Sequence, residues 1–198
     1  MNMNTDADIS EDRILQTFND CGALLEGHFL LRSGLHSDRF FQAALLLQNP
    51  RIAEQLCRQL VEQVRELPVE KVISPAIGGL IVGQEIARAL GVQAVFAEKN
   101  DVGGLELRRG FSISPGENLL VAEDVITRGG RVQQTIDLVR SFNANPVAAA
   151  VLVDRSGGEA EFDIPLKSLV KLQMATYDPC ECPMCQQGLP LEKPGSGK

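Results

Sequence analysis

The sequence predicts an α/β fold with a central, mostly parallel sheet flanked by helices, and two observations predict it. Short apolar runs alternate with amphipathic segments along most of the chain, the pattern of successive βαβ units. Four of the runs end on residues suited to chemistry rather than to a core: Ser74-Pro75, Glu98-Lys99, Glu123-Asp124 and Asp154-Arg155. In an open α/β sheet ligands sit outside the carboxyl ends of the strands, so all four endings are expected to face one crevice.

Each element has a local reason. Ile9 to Leu25 is the first periodic segment, with Ser10 in the N-cap position and Ile14, Leu15 and Phe18 on one face. The stretch GHFLLRSGLHSDRFFQAALLL is broken by Gly and Ser into strand-like patches. Asn49-Pro50 opens a helix, a capping residue followed by Pro in the first turn. Ile52, Leu56, Leu60 and Val64, with Ala53, Cys57 and Val61, form its apolar stripe as far as Glu66. Lys71 to Pro75 is a short strand. Gly78-Gly79 opens a helix carrying Ile81, Val82, Ile86, Ala89 and Leu90 and closed by Gly91. Val92 to Ala97 is the next strand. From Asn100 to Gly110 the chain is charged and contains glycines, and Leu105, Leu107, Phe111 and Ile113 alternate in the manner of a hairpin or extended flap. A turn at Pro115-Gly116 precedes the acidic-pair strand. A helix from Gly130 to Phe142 follows, with Val132, Ile136 and Val139 inward, then a strand from Pro146 to Val153 and a last strand-like run from Lys167 to Met174. The ending LEKPGSGK reads as a mobile tail.

Composition sets outer limits. With 44% apolar and 23% charged residues in 198, and no Trp, the chain is of ordinary globular type. It contains no run of about 18 apolar residues, so no membrane span is expected. The opening MNMNTDADISED lacks a basic region followed by an apolar one, so no secretory leader is expected and the cytoplasm is the default location. A net charge of −7 argues against nucleic-acid binding, which needs basic surface to displace counterions. Cys21 and Cys57 fall in apolar-periodic segments and read as buried small hydrophobes. Cys180, Cys182 and Cys185 form a CxCxxC cluster. Zinc favours four thiolate or imidazole ligands, only three lie together here, and the two His are distant in sequence, so a surface tail is the favoured reading over a metal site. Disulfides are not expected in a reducing compartment.

The chemistry concentrates in NLLVAEDVITRGG, from Asn118 to Gly130. Glycines at Thr127-Arg128-Gly129-Gly130 allow the backbone to coil so that successive N–H groups point at an anion, and the helix that follows adds its N-terminal dipole. The plainer reading of Gly-Gly is a strand-to-helix turn. No GxxxxGK[ST] or GxGxxG is present. Two adjacent acids at a strand end, Glu123 and Asp124, repel each other unless they meet cations, donors or hydroxyls, and carboxylates accept well from the 2′ and 3′ hydroxyls of a ribose. A strand, an acid pair and an anion-binding turn in succession point to a ligand carrying both ribose and phosphate.

LLVAEDVITRGG resembles the phosphoribosyl-pyrophosphate (PRPP) signature of the type I phosphoribosyltransferases. Within that group the landmarks GHFLLRSGLHSDRFFQAALLL, VISPAIGGLIVG, LRRGF and VLVDRSGG resemble the orotate phosphoribosyltransferases, from about Cys21 to Gly158. The resemblance implies a type I phosphoribosyltransferase fold with a small hood of N-terminal and C-terminal elements and a mobile loop. It implies a single domain, with hood elements in about 1–45, a core in 46–175 and a tail in 176–198. Glu123 and Asp124 would hold the ribose hydroxyls of PRPP, Thr127, Arg128, Gly129, Gly130 and Arg131 would wrap its 5-phosphate, and Val125 and Ile126 would be further PRPP-binding positions. Lys99 would bind pyrophosphate, and together with Glu123 and Asp124 makes up the expected catalytic set. Arg155 would pair with the orotate carboxylate, a geometry that suits an Arg fork. Thr127, Phe40 and Phe41 would lie at the base, although the two Phe also read as core aromatics. Arg32 stands where some members have a lysine near PRPP.

Some members carry a lysine and a histidine in the mobile loop. Here neither occurs between Asn100 and Gly110, leaving Arg108 and Arg109 to supply charge or to form a solvated hairpin edge. Arg128 and Arg131 replace hydroxyl residues in and after the phosphate turn. The implied reaction is transfer of phosphoribosyl from PRPP to orotate in pyrimidine biosynthesis, with Mg²⁺ entering with PRPP rather than held by protein side chains alone, in a homodimer whose loop reaches the neighbouring site. A phosphoribosyltransferase for another base, or a PRPP-binding regulator without turnover, are the alternatives.

Overall fold

The computed structural model describes residues 10–31 and 33–194. The first nine residues, Arg32 and the last four residues of the tail lie outside them. The elements, in chain order, are α1 (Glu11–Asp20), β1 (Leu24–Leu30), β2 (His36–Phe41), α2 (Ala43–Leu47), α3 (Pro50–Glu62), β3 (Lys71–Pro75), α4 (Gly79–Leu90), β4 (Gln93–Lys99), β5 (Leu105–Leu107), β6 (Asn118–Ile126), α5 (Gly130–Ser141), β7 (Asn145–Asp154), β8 (Leu166–Lys171), β9 (Thr176–Tyr177) and α6 (Pro183–Gln186).

Six strands form the central sheet in the order β5-β4-β3-β6-β7-β8. Every neighbouring pair is parallel except β4 and β5, whose antiparallel pairing (Lys99 opposite Leu105) makes the expected hairpin. From β3 the chain moves to one side to lay down β4 and β5, then returns to the other side of β3 for β6. The strand order therefore reverses between β3 and β6, and a crevice opens at their carboxyl ends.

The three central strands are buried on both faces, as helices on either side require. Side chains alternate between the two cores. Val72, Leu120, Ala122, Ala148, Ala150 and Leu152 join Leu56, Leu60, Val82 and Ile86 of α3 and α4. Ile73, Leu119, Val121, Ala149 and Val151 join Val132, Ile136 and Val139 of α5. Asn49 caps α3 as its sequence suggests, its side chain accepting from Arg51 N, and Gly91 closes α4 at φ 73°.

Three details differ from the sequence reading. The first helix ends at Asp20, because the chain turns at Gly22 with φ 65° and Leu24 and Leu25 join β1 instead. Ser10 occupies the N-cap position without a side-chain capping bond. The third helix stops at Glu62, with Val64 still buried in the turn beyond it. A second, antiparallel sheet, β1-β2-β9, is built from the N-terminal hairpin and a short C-terminal strand. Ser37 Oγ donates to Ala175 O at 2.8 Å where β9 meets β2.

Candidate active site

The sheet delivers its strand ends to a cavity of about 580 Å³. Pro75, Ala76 and Gly78 line it beyond β3, Lys99 at the end of β4, and the whole run from Glu123 to Val132, with Gln134, along β6 and into α5. Thus residues from three of the four expected strand endings share one cavity, although β6 runs on past Glu123-Asp124 to Ile126.

The acid pair sits where β6 leaves the core. Glu123 is buried and Asp124 half-buried. Asp124 Oδ1 accepts from Val125 N at 2.8 Å, and Glu123 Oε1 from Asp124 N at 3.2 Å. The two carboxylates lie against the start of α4. A Cβ on Gly78 would stand 2.9 Å from both Asp124 oxygens, and one on Gly79 2.9 Å from Glu123 Oε1 and 3.0 Å from Ala122 O. Glycine is needed at both places for the helix to approach. Burial, and then the neighbouring Asp124, push the Glu123 carboxyl up to about 9. At neutral pH the pair therefore holds a proton on Glu123, and like-charge repulsion is relieved by protonation.

Thr127 and Arg128 are exposed at the rim, and Gly129 turns the chain into α5 at φ 73°. That left-handed conformation disfavours any side chain, and a Cβ would in addition stand 2.7 Å from Phe162 Cζ. The turn presents the first amides of a 12-residue helix to the cavity, a ready anion site. Arg131 donates to Gln134 Oε1 at 2.8 Å and its charge draws the Glu123 carboxyl down. With Lys99 and Arg128 it makes the α5 side of the cavity basic in a chain of net charge −7.

Other candidates lie outside this lining. Phe41 is buried against Phe18, ring centroids 5.0 Å apart, and serves the core. Phe40 packs on Phe29 at 5.9 Å. Neither lines the cavity. Arg108 pairs with Glu106, and Arg109 with Glu98 at 2.8 Å while lying over the Phe96 ring. Both arginines are thus paired with acids of the β4–β5 hairpin. Arg155 is tied to the end of β6 through its amide, which donates to Ile126 O at 2.9 Å. Its guanidinium is half-buried, its Nε is buried with no hydrogen-bond partner, and burial lowers its pKa. A buried orphan donor of this kind is costly unless a ligand satisfies it.

Sequence reasoning missed Gly78 and Gly79 as the seat of the acid pair, and Gln134 as a wall of the cavity. The i, i+3 spacing of Arg131 and Gln134 was the available signal for the latter. The bearing of the glycines on Glu123 and Asp124 had no local signal.

Known proteins resemble this chain over most of its length. A family model described as a phosphoribosyl transferase domain matches residues 43–181. The chain is 46% identical to the orotate phosphoribosyltransferase of Caldicellulosiruptor bescii, covering 96% of this chain and 100% of that protein. It is 49% identical to that of Carboxydothermus hydrogenoformans, covering 93% and 97%. The crystal structure of orotate phosphoribosyltransferase from Aeropyrum pernix superimposes with a TM-score of 0.68 at 25% identity, covering 80% of this chain and 93% of that one.

Proposed function

This chain belongs to the orotate phosphoribosyltransferase family, and we propose that it transfers phosphoribosyl from PRPP to orotate, giving orotidine 5′-monophosphate and pyrophosphate, in pyrimidine (UMP) biosynthesis. The observation that carries this reading is the single cavity in which the acid pair Glu123-Asp124 adjoins the N-terminal turn of α5. Asp124 and Glu123 accept from the ribose hydroxyls, the protonated Glu123 also being able to donate. The turn from Thr127 to Gly130, with Arg128 and Arg131, wraps the 5-phosphate, and Val125 and Ile126 lead β6 into it. Lys99 meets the pyrophosphate across the cavity. Arg155, with its unsatisfied Nε beside the end of β6, takes the orotate carboxylate, and Thr127 lies between the two substrates.

In the reaction the C1–pyrophosphate bond breaks and a bond from the orotate ring nitrogen forms. The protein performs little covalent chemistry; it positions the reactants, neutralises the departing pyrophosphate and keeps water from an oxocarbenium-like centre. The cavity offers the oxygens of two carboxylates, one of them protonated, rather than an oxygen cage. That suits Mg²⁺ arriving with PRPP, since this cation keeps waters and substrate phosphates as ligands. When bound it supplies charge neutralisation at the pyrophosphate.

The chain is proposed to act as one domain in a cytoplasmic homodimer, with small-molecule substrates and neither nucleic acid nor membrane as partner. Among the described residues no helix is long and apolar enough to cross a membrane. The test is loss of orotate absorbance on mixing the protein with PRPP and Mg²⁺. Turnover of orotate supports the proposal; turnover of a purine instead, or tight PRPP binding with no pyrophosphate released for any base, overturns it.

A further inference from the structure

Away from the cavity, the fold brings together four residues that are far apart in the chain. His28 of β1, His36 of β2, and Cys182 and Cys185 at the start and within α6 each offer one ligand atom, and these four atoms all lie within 4.8 Å of one another. It is the one cluster of its kind among the described residues. Both His and Cys182 are buried, and Cys185 closes the cluster from the surface.

The hydrogen bonding around His28 fixes its tautomer. Its Nδ1 lies 3.0 Å from Leu189 O. A carbonyl can only accept, so Nδ1 carries a proton, and in the neutral ring Nε2 presents the lone pair that a metal takes. Around that one lone pair stand His36 Nδ1 at 2.8 Å, Cys182 Sγ at 3.5 Å and Cys185 Sγ at 3.7 Å. Cys185 Sγ is also 3.4 Å from His36 Nδ1. One acceptor cannot serve three neighbours, whereas a cation at their centre would satisfy all four ligands together. Tetrahedral zinc, with bonds of about 2.0–2.1 Å to nitrogen and 2.3 Å to sulfur, sets ligand atoms roughly 3.3–3.8 Å apart. The three sulfur–nitrogen separations just given fall in that range, the two nitrogens need to part by about half an ångström to reach it, and the remaining pairs, from Cys182 Sγ to His36 and to Cys185, lie within 4.8 Å. The hydrogen bond from His28 Nδ1 to Leu189 O holds the ring in place, as zinc-bound imidazoles are ordinarily held by their other nitrogen. The Cys-Pro-Met-Cys spacing supplies two thiolates from one turn, as structural zinc sites do.

We propose that His28, His36, Cys182 and Cys185 form a structural zinc site that staples the β1–β2 hairpin to the C-terminal segment. The surrounding backbone is already arranged for this. Leu30 N donates to Glu192 O and Glu192 N to His28 O, each at 2.8 Å, so the segment after α6 runs alongside β1. The metal closes a chain loop from His28 to Cys185, and binding free energy at such a site is folding free energy. Cys180 belongs to neither the cluster nor the site.

The test uses the full chain without PRPP or Mg²⁺. Protein from zinc-supplemented cells, dialysed against metal-free buffer, is expected to retain about one zinc per chain by elemental analysis. Cobalt(II) added to the apoprotein is expected to give the intense visible bands of a tetrahedral site and thiolate-to-cobalt charge transfer. Cys180→Ser keeps both signatures; His28→Ala and Cys182→Ser lose them. Zinc-loaded protein melts at higher temperature than apoprotein and resists proteolysis after α6. The cobalt titration reads the wild-type chain, so misfolding of a variant does not remove the test. The proposal is overturned if wild-type protein holds no more zinc than Cys182→Ser, if cobalt gives only weak octahedral bands, or if a Cys182–Cys185 disulfide forms in freshly prepared protein and zinc is not taken up on its reduction.

Discussion

Glu123 and Asp124 are neighbours in one strand, yet their environments separate their roles. The Glu123 carboxyl is raised to about 9, first by burial and then by Asp124. An acid whose folded value lies above its ordinary value near 4.3 holds its proton in the native state while the unfolded chain gives it up. Its contribution to stability is therefore complete below that ordinary value and is lost as pH rises towards about 9. Glu123→Gln keeps the shape and removes the titration. Its melting temperature should exceed that of the parent at pH 8, with the gap closing near pH 4; parallel melting curves across that range would show that Glu123 ionises normally. Asp124→Asn is expected to behave differently. It leaves folding nearly intact and raises KM for PRPP about 10- to 100-fold, the worth of a charged hydrogen bond of roughly 1.5–3 kcal/mol. Unchanged PRPP kinetics in the folded variant would remove Asp124 from the ribose. Arg155→Ala is expected to raise KM for orotate by a similar factor with PRPP kinetics little affected, since its buried Nε has no protein partner to lose. Steady-state kinetics with each substrate varied in turn separates the two.

At the scale of elements, the phosphate turn is where local backbone and long-range packing make the same demand. Gly129 is left-handed and Phe162 blocks its Cβ position, while a Cβ on Gly130 would meet nothing within 4 Å. Gly129→Ala should therefore cost about 1–2 kcal/mol from the backbone alone, with more from displacing Phe162, and should weaken phosphate binding. Gly130→Ala should be neutral or stabilising by a few tenths of a kcal/mol in thermal melts. Equal melting temperatures for the two variants would contradict the geometry. The same contrast explains how far the elements could be read from the chain. β3, α4, β6, α5 and β7 were legible because period-two and helical patterns are local, and caps such as Asn49 and Gly91 mark their own ends. β9 and α6 were not, because two and four residues carry no period. β9 exists only through its pairing with β2. The first helix was read too long because Leu24 and Leu25 continue its apolar pattern, and only the turn at Gly22 sends them into a different sheet.

For the whole molecule, the shared cavity was legible since strand ends in a parallel sheet must point the same way, and Pro75 and Lys99 close recognisable strands while Glu123 lies near the carboxyl end of β6. What stayed hidden was contact between distant segments: the glycines under the acid pair, and the two His of the hood beside Cys182 and Cys185, 149 to 161 residues away from the groups they meet. The charge distribution has the same global character. A chain of net charge −7 gathers Lys99, Arg128 and Arg131 around one cavity, so a polyanion is attracted there against the overall field. That attraction is limited, because Asp124 shares the cavity and repels the same ligand. A divalent cation carried by the pyrophosphate removes much of the repulsion, and PRPP should therefore stabilise the fold far better with Mg²⁺ than without it. At a ligand concentration 100 times Kd the gain is about 2.7 kcal/mol, or roughly 5–10 °C in melting temperature for a chain of this size. Thermal melts with PRPP, with and without added Mg²⁺, read this directly. The shift with Mg²⁺ should shrink as salt screens the exposed basic groups and should fall sharply in Asp124→Asn, which still carries the turn into α5 but has lost the charged acceptor proposed for the ribose. An equal shift with and without Mg²⁺ would mean that the basic residues alone balance the pyrophosphate, and that the cation has no part in binding.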